Sequence, residues 1–86
     1  MPRISEFFGI EIYIYWEDHG PPHFHAVYAE QEAQISIEDG SLLRGRLSPR
    51  AMGLVVEWAQ LHRDELRHVW EQAEGMQPLD KIEPLK

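Results

Sequence analysis

The 86-residue sequence contains no cysteine and no long hydrophobic run. The absence of cysteine excludes a disulfide framework and a thiolate metal site, and it suits a reducing cytoplasm. The longest apolar runs, such as GLVV, are far too short to cross a bilayer. The opening MPRISEFFGI has no apolar stretch long enough for a signal peptide. We therefore expect a cytoplasmic protein with no membrane partner.

Positive charge is also scarce, because 8 Lys and Arg residues stand against 15 Asp and Glu residues, for a net charge of −7. Proteins that bind nucleic-acid phosphates normally carry a basic footprint, so general nucleic-acid binding is disfavoured. A local basic patch stays open, because Arg44, Arg46 and Arg50 lie within seven residues. The length suffices for one domain, and we interpret residues 1–86 as that domain.

Period-two alternation of apolar and polar residues predicts four strands within a strand region of about 3–47. The segments are 10–16, 23–29, 32–38 and 42–47. The last two are joined by EDGS, and a two-residue turn there would place an arginine on the apolar face. We therefore predict an odd-length loop with Gly40 in the left-handed conformation, which pairs Gln34 with Arg44 and Ile35 with Leu43.

The second half predicts a helical region over 48–75, followed by an extended tail over 76–86. Ser48 is a favourable N-cap and Pro49 a favourable first helical residue. A kink is expected at HRDEL, with Asp64 capping a second helix, and Gly75 is expected just beyond the last helical turn. Apolar residues recur in steps of three and four, together with His62, as one helical stripe: Met52, Val55, Trp58, Ala59, His62, Leu66, Val69, Trp70 and Ala73.

These elements predict an α+β fold, in which a four-stranded antiparallel meander is followed by a C-terminal helix or helix pair packed on one sheet face. The helical stripe needs an apolar partner, and the Ile, Phe and Leu side chains of the strands supply it. The opposite sheet face is then expected to be open. Alternation assigns to that face Tyr13, Tyr15, His23, His25, Gln34, Ser36, Arg44 and Arg46.

The stretch DHGPPHFHA holds three of the five histidines and is the strongest candidate for chemistry. His23 and His25 are two apart on a predicted strand, so both imidazoles project from one face and can chelate one divalent ion such as zinc. Asp18 or His19, brought back by the Pro-Pro turn, could be a third ligand. Such a site leaves room for a catalytic water. The structural alternative is that the histidines only hydrogen-bond to their neighbours.

A second interpretation needs no metal. An exposed face with histidine, arginine and tyrosine carries the residue types that a metal-independent ribonuclease uses. In that hypothesis His25, beside His23, acts as base, Arg44 or Arg46 holds a phosphate, and Tyr15 is the acid or a stacking platform. The acidic net charge argues against an RNA partner.

A third interpretation is a non-catalytic interaction module. Small sheets often pair with partners through an open face or an edge strand. Leu54 and Leu61 lie off the main helical stripe, so some exposed apolar area or a homo-oligomer is expected.

Four segments together resemble a known family: FFGI, DHGPPHFHA, HRDELRHVW and KIEPL. They are similar to the small bacterial proteins grouped as domain of unknown function 4160, and the resemblance covers nearly the whole chain. Within the central motif, Gly20 stands where relatives often have asparagine, and either residue suits a tight turn. The motif matches at Asp18, His19, Pro21, Pro22, His23, Phe24 and His25.

The resemblance implies no activity, but it implies a partner. Members often lie beside another small uncharacterised protein, and such pairs look like toxin–antitoxin modules. Our leading expectation is therefore a protein that acts with a cognate small protein in a toxin–antitoxin-like pair, using the histidine-rich loop and the open sheet face. A metal-binding protein or metal-dependent hydrolase, and a non-catalytic interaction module, are the alternatives. Whether the protein is an enzyme stays open.

Overall fold

Five strands are followed by two helices in the computed structural model, which describes residues 2–86. The strands pair antiparallel in the order β1-β2-β3-β4-β5. The α+β class and the antiparallel meander are confirmed, whereas the prediction of four strands is wrong. The elements are β1 (Arg3–Phe7), β2 (Ile10–Tyr13), β3 (His23–Tyr28), β4 (Gln31–Ser36), β5 (Leu42–Gly45), α1 (Pro49–Leu61) and α2 (Arg63–Glu74).

The additional strand, β1, lacks a regular alternation of buried and exposed residues, so the sequence pattern does not predict it. Its register against β2 shifts between Arg3 and Ser5, so Ile4 and Ser5 are both buried and strict alternation is lost. The turn that follows has two residues, Phe8 and Gly9, both with positive φ. Such turns favour Asn-Gly or Asp-Gly, so a phenylalanine in this place gives no hairpin signal.

The β4–β5 connection follows the predicted parity only in part. Gly40 has a φ of +74° and Gln34 lies opposite Arg44, as expected. Ile35, however, lies opposite Leu42, because a register shift between Gln34 and Ile35 leaves Leu43 as an extra residue on β5. The predicted pairing of Ile35 with Leu43 is therefore wrong.

α1 begins as predicted and Gly75 follows the last residue of α2 as predicted, whereas α2 begins earlier than expected. Ser48 caps α1 by accepting a hydrogen bond from the Ala51 N–H, and Pro49 is the first helical residue. The break falls at His62, while Asp64 lies in the first turn of α2 and does not cap it. Gly75 has an ordinary negative φ, and Met76 takes the left-handed conformation instead. Among residues 2–86, no helix is long and apolar enough to span a membrane.

The core lies between one sheet face and the helices. The Trp58 ring contacts Phe24 edge-on at 5.8 Å and Phe7 at 5.3 Å between ring centroids. The tail after α2 has no regular structure, yet it packs on the domain. Ile82 is buried and donates its N–H to the Ile4 carbonyl at 2.8 Å. Phe24 thus faces the helices, which directs the neighbouring histidines to the other face of the sheet.

Candidate metal site

The two histidines of β3 share one sheet face, as alternation predicts, but that face is not open at their position. His23 is 4% exposed and His25 6% exposed, and Tyr13 beside them is also buried. The expected strand over 10–16 ends at Tyr13, and residues 14–22 then form a loop. That loop brings Tyr15 against the His25 ring at a centroid distance of 4.6 Å. The prediction of an open histidine face is therefore corrected.

The loop over 14–22 also delivers a carboxylate to the histidines. Asp18 Oδ2 lies 2.9 Å from His25 Nε2 and 3.0 Å from His23 Nε2. The three groups form a cluster whose ligand atoms lie within 4.8 Å of one another. Asp18 is partly exposed, so the cluster lies just beneath the surface.

The other nitrogen of each ring, Nδ1, lies within hydrogen-bond distance of an oxygen acceptor. His23 Nδ1 lies 2.9 Å from the Pro21 carbonyl oxygen, and a carbonyl oxygen only accepts, so this nitrogen carries a proton. His25 Nδ1 lies 3.1 Å from Glu32 Oε2. These contacts orient both rings so that their Nε2 atoms converge on Asp18. Carboxylates and backbone carbonyls orient metal-ligating histidines in the same way.

If both rings are neutral, the cluster has fewer N–H donors than contacts between ring nitrogens and oxygen atoms. All four ring nitrogens face oxygen acceptors, whereas two neutral imidazoles supply only two N–H groups. The deficit appears at His23, whose buried Nε2 has no hydrogen-bond partner although Asp18 Oδ2 is 3.0 Å away. The His23 Nε2 lone pair therefore faces the Asp18 carboxylate with no donor between them, an arrangement that a bound cation would satisfy.

Tyr15 adds a polar group beside the cluster. Burial raises the pKa of Tyr15, and the nearby Glu32 and Asp18 carboxylates raise this pKa further. The phenol is therefore neutral at physiological pH and keeps its proton to donate. Tyr13 stacks on Tyr15 at 6.0 Å, and its own pKa is raised first by a hydrogen bond to Glu11.

A family profile described as a domain of unknown function, DUF4160, matches residues 9–71. The match covers most of the chain and includes the whole cluster. The chain belongs to the DUF4160 family. No curated protein and no solved structure matches it. Membership in DUF4160 carries no activity over to the chain, so the function has to be argued from the cluster itself.

Not all of the predicted site residues of this DUF4160 domain meet. Asp18, His23 and His25 converge, whereas His19 is exposed and outside the cluster. Arg44 and Arg46 are exposed. In the sheet register Gln34 lies between His25 and Arg44, so the predicted phosphate clamp is two strands away from the predicted base.

Three contributors to the DUF4160 site were missed from the sequence. Glu32 shares a face of β4 with Gln34, so the period-two pattern already contained the signal for it. The Pro21 carbonyl had no such signal, because its direction depends on the turn. Trp70 of α2 packs on His23 at 5.2 Å between ring centroids, and the sequence contained no signal for this contact either.

Proposed function

We propose that the protein binds a divalent transition-metal ion through Asp18, His23 and His25, with zinc as the first candidate. The observation that carries the proposal is the buried His23 Nε2, which has no hydrogen-bond partner and lies 3.0 Å from a carboxylate oxygen. A metal ion accepts the lone pairs of both Nε2 atoms and one carboxylate oxygen, so it removes the proton deficit without charging either ring.

The ligand types and distances support this proposal. Two imidazoles and a carboxylate are a donor set that zinc, iron and other transition metals use. Bonds of about 2.0 Å at tetrahedral angles separate ligand atoms by about 3.3 Å. The present separations of 2.9 and 3.0 Å require an outward shift of Asp18 by a few tenths of an ångström, on the order of what a loop side chain accommodates. Glu32 and the Pro21 carbonyl supply the outer hydrogen bonds.

Three protein ligands favour a reactive site over a structural one. Structural zinc sites are usually closed by four protein ligands, whereas catalytic sites keep a position for water. A metal-bound water beside the neutral Tyr15 phenol is the equipment of a metal-dependent hydrolase. Hydrolysis is therefore the second step of the proposal, and it depends on metal binding.

The test is a zinc titration of chelator-treated, dialysed protein by isothermal calorimetry, with elemental analysis of the loaded form. We expect one equivalent of zinc, with affinity at least tenfold lower in Asp18→Asn and His25→Ala, and about tenfold lower or more in Glu32→Gln. His19→Ala is the matched control, because that histidine lies in the same loop outside the cluster. Affinity should also fall as the pH is lowered, since protons compete for the imidazoles.

Asp18→Asn keeps the proposal falsifiable if His25→Ala fails to fold, because Asp18 is partly exposed. Far-ultraviolet circular dichroism verifies that each variant folds. Zinc affinity equal to wild type in the folded Asp18→Asn and Glu32→Gln variants, or no zinc binding by wild type, would overturn the proposal. The cluster would then be a structural hydrogen-bond network of the two histidines with Asp18 and Glu32.

The expected cognate partner and the toxin–antitoxin-like role stay predictions. They derive from the family resemblance alone, and co-expression with the product of the adjacent gene tests them. The metal-free ribonuclease hypothesis has less support, because Gln34 separates His25 from Arg44 in the sheet.

A further inference from the structure

The two edges of the sheet differ in how they are covered. At the β1 edge, the C-terminal tail lies alongside the strand, where the Ile82 N–H donates to the Ile4 carbonyl and Ile82 is buried. At the other edge, all four residues of β5 are exposed. An uncovered edge strand presents backbone N–H and C=O groups that have no ladder partner and can pair with another chain.

The β5 edge also carries apolar side chains that proteins normally protect. Leu42 is 48% exposed and Leu43 44% exposed, and they are consecutive at the β5 bulge. A depression over β4 and β5 is lined by Glu32, Ala33, Gln34, Arg44 and Gly45. The edge therefore offers apolar contact area next to its free backbone groups.

Positive charge is concentrated at the same place. Arg44, Arg46 and Arg50 are three of the eight basic residues of a chain whose net charge is −7. All three are exposed, and none forms an ion pair with another residue in the described range 2–86. By contrast, Arg3 and Arg67 are each held by two carboxylates.

We propose that the β5 edge binds an extended acidic segment of a partner protein by strand addition. The segment would pair its backbone with β5, place apolar side chains on Leu42 and Leu43, and set carboxylates against Arg44 and Arg46. A second copy of this chain fits less well, because it would bring two basic edges together, each with Arg44 and Arg46 exposed. Nucleic acid fits less well, because it has no peptide backbone to pair with β5 and its phosphates are repelled by the net negative charge of the protein.

The test uses a fluorescein-labelled peptide of alternating glutamate and valine, eight residues long, titrated into the full chain and followed by anisotropy. We expect saturable binding that weakens at least tenfold in Arg44→Glu/Arg46→Glu. Lys81→Glu/Lys86→Glu is the control, since it also reverses two positive charges, in the C-terminal tail. In amide NMR spectra, the peptide should shift the signals of residues 42–46 and leave those of β1 unmoved.

Several outcomes would overturn the proposal. These are no peptide binding at millimolar concentration, equal binding by Arg44→Glu/Arg46→Glu, or NMR shifts confined to other strands. Tighter binding of the same edge to a uridine octamer than to the peptide would assign the edge to RNA. A dimer in sedimentation that is lost on Leu43→Asp and retained in Arg44→Glu/Arg46→Glu would assign it to a second copy. None of these measurements depends on the metal site.

Discussion

The indole N–H of Trp16 donates a hydrogen bond of 2.7 Å to the backbone carbonyl of Gln77, across 61 positions of sequence. Trp16 precedes Asp18 by two residues, so this bond ties the loop that carries the candidate metal ligand to the segment that follows α2. Trp16 is 38% exposed, so its buried apolar surface contributes to stability alongside the hydrogen bond.

Trp16→Phe tests the importance of this link, since it removes the donor and keeps an aromatic ring. We expect the free energy of unfolding to fall by about 1 kcal/mol, measured by urea denaturation. Zinc affinity should weaken several-fold, because the loop holds Asp18 less firmly. Phe8→Leu, at another exposed aromatic residue, should change both quantities little. Equal effects of the two substitutions would contradict the link.

The end of α2 predicts a stabilising substitution. The Gln77 N–H donates to the Gln72 carbonyl and the Met76 N–H to the Ala73 carbonyl, which places Met76 at a position that glycine usually occupies. Met76 has a φ of +56°, a conformation that strains any residue with a Cβ. Met76→Gly should stabilise the protein by about 0.5–1 kcal/mol, the strain relieved less the backbone entropy of glycine.

Thermal unfolding measures the effect, and Gly75→Ala is the neighbouring control. Gly75 has an ordinary φ, and a Cβ there would meet no atom closer than 3.5 Å, so alanine should be tolerated. A lower melting temperature for Met76→Gly than for wild type would refute the interpretation.

Two glycine-to-alanine substitutions should have opposite signs. At Gly45, with φ +79°, a Cβ would lie 2.1 Å from the Glu32 backbone carbonyl oxygen. Gly45→Ala should therefore cost about 2 kcal/mol or more and weaken the pairing of β5. At Gly53, within α1, a Cβ would meet nothing within 4 Å, so Gly53→Ala should stabilise by about 1 kcal/mol.

Urea denaturation of both variants, with amide exchange of β5 in Gly45→Ala, gives the comparison. Similar stabilities for the two variants would show that the close approach of β4 and β5 is not rigid.

Acid should remove a contribution of Asp39 to stability. Hydrogen bonds from the Ser41 hydroxyl, and then from the Ser41 backbone N–H, hold the pKa of Asp39 below its ordinary value. Because the folded pKa is the lower one, this contribution is present above the unfolded pKa and is lost as the pH falls through the folded pKa. Wild type should exceed Asp39→Asn in stability at pH 7, and the difference should shrink in acid, below the ordinary pKa of aspartate.

Urea midpoints at pH 7 and in acid check this expectation. A wild-type advantage that persists unchanged in acid would mean that the carboxylate charge of Asp39 is not its source.

The local parts of the fold were accessible from the sequence. Alternation placed His23 and His25 together on the face opposite Phe24, and Ser48 and Pro49 located the start of α1. These features depend on neighbours within a few residues, which is the range over which such patterns act.

The parts that were missed depend on long-range contacts. The burial of His23 comes from a loop that folds back and from Trp70 on α2, and no periodicity contains that information. A bulge at Ile4 and Ser5 concealed β1. The phosphate-clamp hypothesis stays a prediction, and the register places Gln34 of β4 between His25 and Arg44.

The bond between Ile4 and Ile82 has a consequence for engineering the chain. It ties the segment after α2 to β1, at the edge of the sheet opposite β5, so a chain that ends before Ile82 would leave the Ile4 carbonyl without this partner.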